Sequence, residues 1–439
     1  MNKKSFYMAM LLASLCTSAY SAEPTSITLN IDQVLELVEN NNKDVATSRR
    51  AVDVSAQAIK VANTAKLPAI DASLSFSYLG DATIMDRDFT NVMRAPTPHF
   101  GNSAAVTVYQ PVYQGGAINA GINIAQVQNS MSLTQLDITR QNISIQAIAC
   151  YLELFKVRNL LNVYDENIAT TSRLLNEMRS RYNEGVVLKN DITRYELRLS
   201  TLNYDRLSIN NRLSVLNHDL CLMLGLGEET TVLPSISQEI DSLPIVESQS
   251  SWFNTSLSNS PSLKLLDKQQ ELNGLQNKLL KAEKLPHIGL VAGDSFNGPL
   301  TFEIPPLNNN YNYWYFGVSL SYNVSSLFKT SKSMRKNILE LEQINANRDA
   351  LVEHLDRTID DTYTQFTQAF KMLETEEKNV ELATENYRIV ENRYNNQLAL
   401  LTDMLDASTA KLDAEVRLVN ARVNIIYYYY QLKYNSGTL

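Results

Sequence analysis

Residues 181–191 read RYNEGVVLKND, and residues 393–403 read RYNNQLALLTD. Arg, Tyr, Asn, Leu and Asp return at matched places after 212 positions. Extended outward, 106–225 lies over 318–437 without a gap: Val106 meets Val318, Asp191 meets Asp403, and Gly225 meets Gly437. Upstream, Lys66-Leu67-Pro68 meets Lys284-Leu285-Pro286 at an offset of 218, so a six-residue difference in length falls between these points. The chain is therefore a unit of roughly 180 residues used twice. The expected organisation is a leader at 1–21, a first repeat at 22–227, a joining stretch at 228–260 and a second repeat at 261–439.

The 439 residues include only 14 Gly and 12 Pro, which favours long regular elements over loops. A net charge of −8 with no basic stripe excludes a general nucleic-acid binder. Asn2, Lys3 and Lys4, the apolar run at 6–15 and Ala19-Tyr20-Ser21 form an export signal with a small-x-small cleavage site. Leu15 before Cys16 is bulky where a lipidation signal wants a small residue, so plain cleavage is expected. Cys150 and Cys221 then remain, too few for a disulfide framework or a Cys-rich metal site. They lie at similar heights on either side of the turn near residue 187, but Cys150 falls in an apolar seam, and two free thiols are expected. No later stretch has 18 continuous apolar residues, so no membrane helix is predicted.

Each repeat opens with a helix that ends at the Lys-Leu-Pro corner, because the residue before Pro avoids helical angles. The period then changes to two. In 69–79, Ile70, Ala72, Leu74, Phe76 and Tyr78 alternate with Asp71, Ser73, Ser75 and Ser77; in 313–324, Trp314, Phe316, Val318, Leu320 and Tyr322 alternate with Tyr313, Tyr315, Gly317, Ser319 and Ser321. Residues 102–113 and 287–296 are weaker versions, which gives four strands in two hairpins, with Leu320 facing lipid near the midplane and Ser319 facing the other side. Strands of about ten residues with Tyr and Trp at their ends suit an outer-membrane barrel. Four strands cannot close one, since every edge must be paired in lipid. Two chains would supply eight strands and three would supply twelve.

Beyond the strands Ile143, Ala147, Cys150, Leu154, Val157, Leu161, Tyr164, Ile168, Thr171, Leu175, Met178 and Tyr182 follow a 4-3 spacing, and Leu355 to Tyr394 repeat it less purely. This is a coiled-coil seam. No Pro interrupts 117–186 or 329–398, so each run would extend ~105 Å at the helical rise. The repeated stretch is the turn at the far end of each long helix, after which Ile192, Tyr195, Leu199 and Leu202 resume the spacing on a shorter return helix.

In this order, within a duplication, the Lys-Leu-Pro corners, the passage Gln110-Pro111-Val112-Tyr113-Gln114-Gly115-Gly116, the Arg-Tyr-Asn tips, Leu224-Gly225 and Thr402-Asp403-Met404-Leu405-Asp406-Ala407 resemble the TolC-type outer-membrane efflux family. The resemblance covers nearly all of the mature chain. It implies a mostly α fold with a transmembrane β part: a homotrimer with a twelve-stranded β-barrel in outer-membrane lipid and an α-helical tunnel across the periplasm. It also implies a passive exit duct that serves a periplasmic adaptor (a membrane fusion protein) and an inner-membrane transporter, in a tripartite pump or a type I secretion system, carrying small molecules or proteins. The competing assignment is a structural periplasmic coiled-coil adaptor or envelope spacer, which would lack the amphipathic strands.

Asp191 and Asp403 begin return helices, where a carboxylate meets free N–H groups and the positive dipole end. Asp406 differs, because its repeat partner is Arg194 and it shares a helix face with Asp403. The family match makes Asp403 and Asp406 pore-entrance carboxylates, six in a trimer, a ring that favours cations. The resemblance further pairs Tyr394 with the acidic Asp191 in the closed entrance. The family's Arg falls on Ala399 here, and Arg393 and Arg181 are either substitutes for it or ordinary surface arginines. Gly185-Val186-Val187 and Leu398-Ala399-Leu400 match the tip segments that meet the adaptor, or else simply pack the loops. His99, His218, His287 and His354 show no metal-ligand spacing, and no nucleophile elbow, phosphate loop or dinucleotide fingerprint is present. Neither enzyme activity nor a cofactor or metal is predicted. Tyr427 to Tyr430 on the last helix are expected to pack a belt rather than bind a ligand.

Overall fold

The computed structural model describes residues 26–227, 229–235, 247–304 and 306–439; the leader at 1–21, with Cys16, lies outside the described residues. In chain order the elements are β1 (Ser26–Leu29), α1 (Ile31–Asn41), α2 (Lys43–Thr64), β2 (Ala69–Tyr78), β3 (Ala82–Ile84), β4 (Met93–Ala95), β5 (Phe100–Tyr113), α3 (Ala117–Asn183) and α4 (Lys189–Leu224). Then come β6 (Thr231–Pro234), α5 (Gln249–Asn259), α6 (Pro261–Ala282), β7 (His287–Gly298), β8 (Tyr311–Ser321), α7 (Ser326–Asn395) and α8 (Leu401–Asn435).

The duplication is visible element by element, and it reaches further than the sequence suggested. The helices α1 and α5 have 11 residues each, and α2 and α6 have 22 each, at the offset of 218. The stretch at 228–260 read as a joining segment thus ends in α5, the counterpart of α1. Its Ser-rich composition hid this, since only Trp252, Phe253 and Leu257 offer large apolar side chains. The six-residue difference falls in the strand connections, where the longer first loop carries the small β3–β4 hairpin.

Two compact units emerge. One comprises Ser48–Asp137 and Pro261–Glu353. In it all four expected strands join one antiparallel sheet, in the order β2-β5-β7-β8, so the two hairpins are paired with each other through β5 and β7. Ile70, Val108, Ala292 and Phe316 lie in one row across the sheet. On that face Ile70, Leu74, Phe76, Trp314, Phe316, Val318 and Leu320 are each between 63% and 76% exposed in the single chain. Asp71, Ser73, Ser75 and Ser77 of β2 point the other way. Both β2 and β8 are edges with unpaired backbone. In the same unit a buried reciprocal pair, Asn273 Nδ2 donating to the Asn337 carbonyl at 3.0 Å and the reverse at 3.3 Å, fixes α6 against α7.

The other unit comprises the described residues up to Thr47, then Ile138–Ser260 and His354–Leu439. Of the seam expected on α3, Ala147, Leu154, Val157, Thr171, Leu175 and Met178 are buried, whereas Tyr182 is 43% exposed, because the antiparallel partner helix begins only at Lys189. Ile148, Tyr151 and Leu152 are buried off the seam. The reason is a feature the sequence did not announce: β1 and β6 pair in parallel beside α3. The Tyr151 hydroxyl donates to the Leu29 carbonyl at 2.7 Å and accepts from the Ser235 N–H at 3.0 Å, which ties both strands to the helix. Asn30 caps α1 reciprocally with Gln33, at 2.8 and 3.0 Å. Gly225 ends α4 at φ +64, with Asn41 so close that a Cβ would come within 2.8 Å of it, and Gly437 meets Asn259 in the same way in the second copy. Of the tyrosines expected to form a belt on α8, Tyr428 and Tyr429 lie against a core of Phe366, Ala369, Ile425 and Leu432.

Cys150 and Cys221 are free, as expected. Their Sγ atoms donate to the carbonyls of Leu216 at 3.5 Å and Thr230 at 3.2 Å. Burial, reinforced by the charges of Asp219 and Glu153, pushes the Cys150 thiol up to about 11. Because the neutral form is favoured in the fold, this contribution to stability is complete below the ordinary thiol value and is lost as pH rises towards 11. Iodoacetamide at pH 8 should therefore label native Cys150 about 100-fold more slowly than the unfolded chain, as followed by mass spectrometry.

One strand expectation is revised. Leu320 is the next-to-last residue of β8, so the middle of the apolar face is held by Phe316 instead. Phe316→Arg should cost about 2–4 kcal/mol if that face meets lipid, Leu320→Arg about 0–1 kcal/mol, and Ser319→Arg on the opposite face the least. The yield of detergent-stable oligomer should follow that order.

Candidate functional site

The turns joining the long and return helices are built alike from different residues. In the first, the Gly185 N–H donates to the Tyr182 carbonyl at 2.9 Å and the Val186 N–H to the Arg181 carbonyl at 3.0 Å. In the second, Gln397 donates to Tyr394 at 2.9 Å and Leu398 to Arg393 at 2.8 Å. Both are helix terminations that require a left-handed residue, and both have one: Gly185 at φ +77 and Gln397 at φ +61. Gly185 adopts this geometry without cost, whereas Gln397 holds its Cβ against the backbone.

Beneath the turns the two helical hairpins share one core of Leu174, Leu175, Met178, Tyr195, Tyr387, Leu401, Met404 and Ala407. Val187, Ile192 and Tyr394 pack onto its edge. Tyr394 is half-buried, and its phenol is raised above the ordinary range first by burial and then by the charge of Asp191, with Arg181 opposing. The charges of both Asp191 and Arg181 thus act on the Tyr394 phenol, whereas the family resemblance paired Tyr394 with Asp191 alone. Arg181 lies one residue before the seam position Tyr182, so the seam spacing does not single it out. Tyr195 and Tyr387 are likewise raised by burial in the core. Next to them a cavity of about 60 Å³ is lined by Asn167, Thr171, Tyr195, Arg198, Tyr387 and Lys411.

Asp403 is exposed, and its Oδ2 accepts from the Leu400 N–H at 3.0 Å, so one of its oxygens holds the helix start. Asp406 is exposed one turn later and has no ion pair among the described residues. Leu401, Met404 and Ala407 face the core, so Asp403 and Asp406 share the side of α8 turned away from it. Among the tip residues, Gly185 is exposed, Val186 is 51% exposed, and Leu398 and Leu400 are 71% and 70% exposed. Val187 and Ala399 are partly buried. Val187 packs into the core, and Leu188, 70% exposed, takes its place among the bare tip residues.

The family described as outer membrane efflux protein matches residues 34–203 and 252–433. The chain belongs to the outer membrane efflux protein family. It is 20% identical over 417 residues to the outer membrane efflux protein BepC of Brucella suis biovar 1 (strain 1330), covering 91% of this chain and 83% of that one. Its fold is similar to that of CusC, whose structures concern folding and transmembrane channel formation, with a TM-score of 0.77, 12% identity, and 97% and 95% of the two chains covered. It is also similar to the outer membrane protein VceC of Vibrio cholerae, with a TM-score of 0.72, 13% identity, and 93% and 96% covered. The fold class read from the sequence stands: a duplicated strand-hairpin and helical-hairpin unit of an outer-membrane channel, mostly α with a smaller sheet part. With the family match spanning both repeats, the assignment as an adaptor or spacer is set aside.

Relieving the strain at the second turn should stabilise it. Gln397→Gly is expected to gain about 1 kcal/mol at the turn, and Gly185→Gln to lose a similar amount. Amide exchange at Leu398 and Val186 should slow and quicken accordingly.

Proposed function

We propose that this protein is the outer-membrane duct of a tripartite efflux pump or a type I secretion system. The observation that carries this is the four-stranded sheet with a bare apolar face and two unpaired edges. In hydrocarbon each open edge costs several kcal/mol per unsatisfied group, so β8 of one copy must pair with β2 of the next until the ring closes. Three copies give twelve strands, the homotrimer expected from the family resemblance. In that assembly the polar face of the sheet lines a water-filled lumen and the apolar face meets outer-membrane lipid.

The helical tips are the periplasmic entrance. Asp403 and Asp406, on the core-averted side of α8, supply six carboxylates around the threefold axis, and such a ring concentrates cations. Tyr394, Asp191 and Arg181 hold the closed arrangement of the two hairpins, with Arg181 in the part the family gives to the position of Ala399. The exposed Val186, Leu398 and Leu400, beside Gly185 and Ala399, receive the hairpin of a periplasmic adaptor, through which an inner-membrane transporter delivers cargo. The duct itself is passive.

Planar-bilayer recording tests this reading. The protein should give long-lived, cation-selective unitary currents that trivalent cations block from the entrance side. The double variant Asp403→Asn, Asp406→Asn should lose most of the cation preference and the block. Unchanged selectivity would leave Asp403 as a helix-start carboxylate alone and move the entrance elsewhere.

A further inference from the structure

The polar face of the sheet is not uniformly polar. Tyr109 of β5 and Tyr311, Tyr313 and Tyr315 of β8 stand on the side that carries Ser73, Ser75 and Ser77. Two of these rings lie along the wall because β7 offers glycine beneath them. A Cβ at Gly289 would come within 2.4 Å of Tyr109, and one at Gly293 within 2.6 Å of Tyr315. Tyr311 and Tyr313 stack with centroids 6.0 Å apart and planes 8° from parallel. Phe302, in the β7–β8 connection, meets Tyr311 edge to face at 6.0 Å and so continues the line.

Packing over glycine accounts for Tyr109 and Tyr315, since an aromatic ring protects a glycine site in a sheet. It does not account for the others. Tyr313 lies opposite Ser295 and Tyr311 opposite Asn297, while Tyr313 and Phe302 remain 48% and 71% exposed. The face also has a sign. Asp71 lies in the same row as Thr107, Gly293 and Tyr315, and the paired positions on this side carry no Lys or Arg.

We propose that this aromatic line, with Asp71, is a cargo-contact track on the lumen wall that holds organic cations bearing an aromatic ring. Flat rings stack on exposed tyrosine faces, the ring quadrupoles attract a positive charge, and Asp71 adds a carboxylate of the matching sign. Anionic or purely aliphatic solutes gain none of these contacts. The inference rests on the channel reading above, which places this face in the lumen.

The test uses the whole protein in planar bilayers, with tryptophanamide as the probe. Leucinamide (equal charge, no ring) and N-acetyltryptophanamide (the ring without the charge) serve as comparisons. Tryptophanamide should interrupt the unitary current for longer than either. Tyr313→Leu should shorten those interruptions about fivefold, the size of one exposed cation–π contact, while Tyr313→Phe retains them. Asp71→Asn should shorten them for tryptophanamide and leave N-acetyltryptophanamide unchanged. If Tyr313→Leu does not assemble, Phe302→Leu, outside the strand ladder, carries the same expectation. Equal dwell times for tryptophanamide and leucinamide, or dwell times indifferent to both leucine variants, would overturn the track and leave the tyrosines as sheet packing. Failure of the channel reading is distinct, because no unitary current would then be seen with any solute.

Discussion

A backbone amide in hydrocarbon has no water to bond with, and this constraint governs the molecule. The chain provides four strands, one apolar face and two open edges, and no rearrangement of four strands can close them. The edges β2 and β8 run antiparallel to each other across the sheet, so a second copy can continue the ladder without any change of direction. Stability of the β part is thus a property of the assembly. The single chain leaves Trp314 76% exposed, which no soluble sheet of this size would tolerate across a whole face.

The helices answer a different demand. Long runs of 67 and 70 residues have too little apolar surface per turn to form a thick core, and they are held instead by narrow seams that widen where Ile148, Tyr151 and Leu152 are also buried. Such seams leave helix ends poorly anchored, and the chain reinforces them at defined points. Gly225 and Gly437 allow α1 and α5 to approach the ends of the return helices, and Asn41 and Asn42 donate to the carbonyls of Leu224 and Met223 at 3.2 and 2.9 Å. Tyr151 binds the β1–β6 pair to α3. Polar contacts thus do at these points what burial does elsewhere.

The parts legible in the sequence were those with a period. Alternation revealed β2 and β8, the 4-3 spacing revealed α3 and α7, and the shared offset revealed the duplication. What escaped had no period to show. The strands β1 and β6 have four residues each, too short for alternation to be distinctive, and α5 is rich in Ser. The join of β5 to β7 depends on pairing across some 180 residues of sequence, which no local pattern encodes. At the tips, Asp191 and Tyr394 were singled out by their positions in the repeat. The charge of Arg181 at Tyr394 was not legible there, because it depends on how the two hairpins pack rather than on the turn in which Arg181 sits.

Duplication followed by divergence explains why the two tips are alike in backbone and unlike in chemistry. The same pair of backbone hydrogen bonds closes each turn, so the geometry was kept, while Gly185 faces Gln397 and Arg194 faces Asp406 across the repeat. A ring built from identical repeats would present six equivalent tips. Here, in the proposed trimer, three tips are acidic and carry backbone strain, and three are relaxed and of mixed sign. Strain at Gln397 raises the energy of one hairpin end without altering its partner, and the charge at Asp406 is present on one hairpin only.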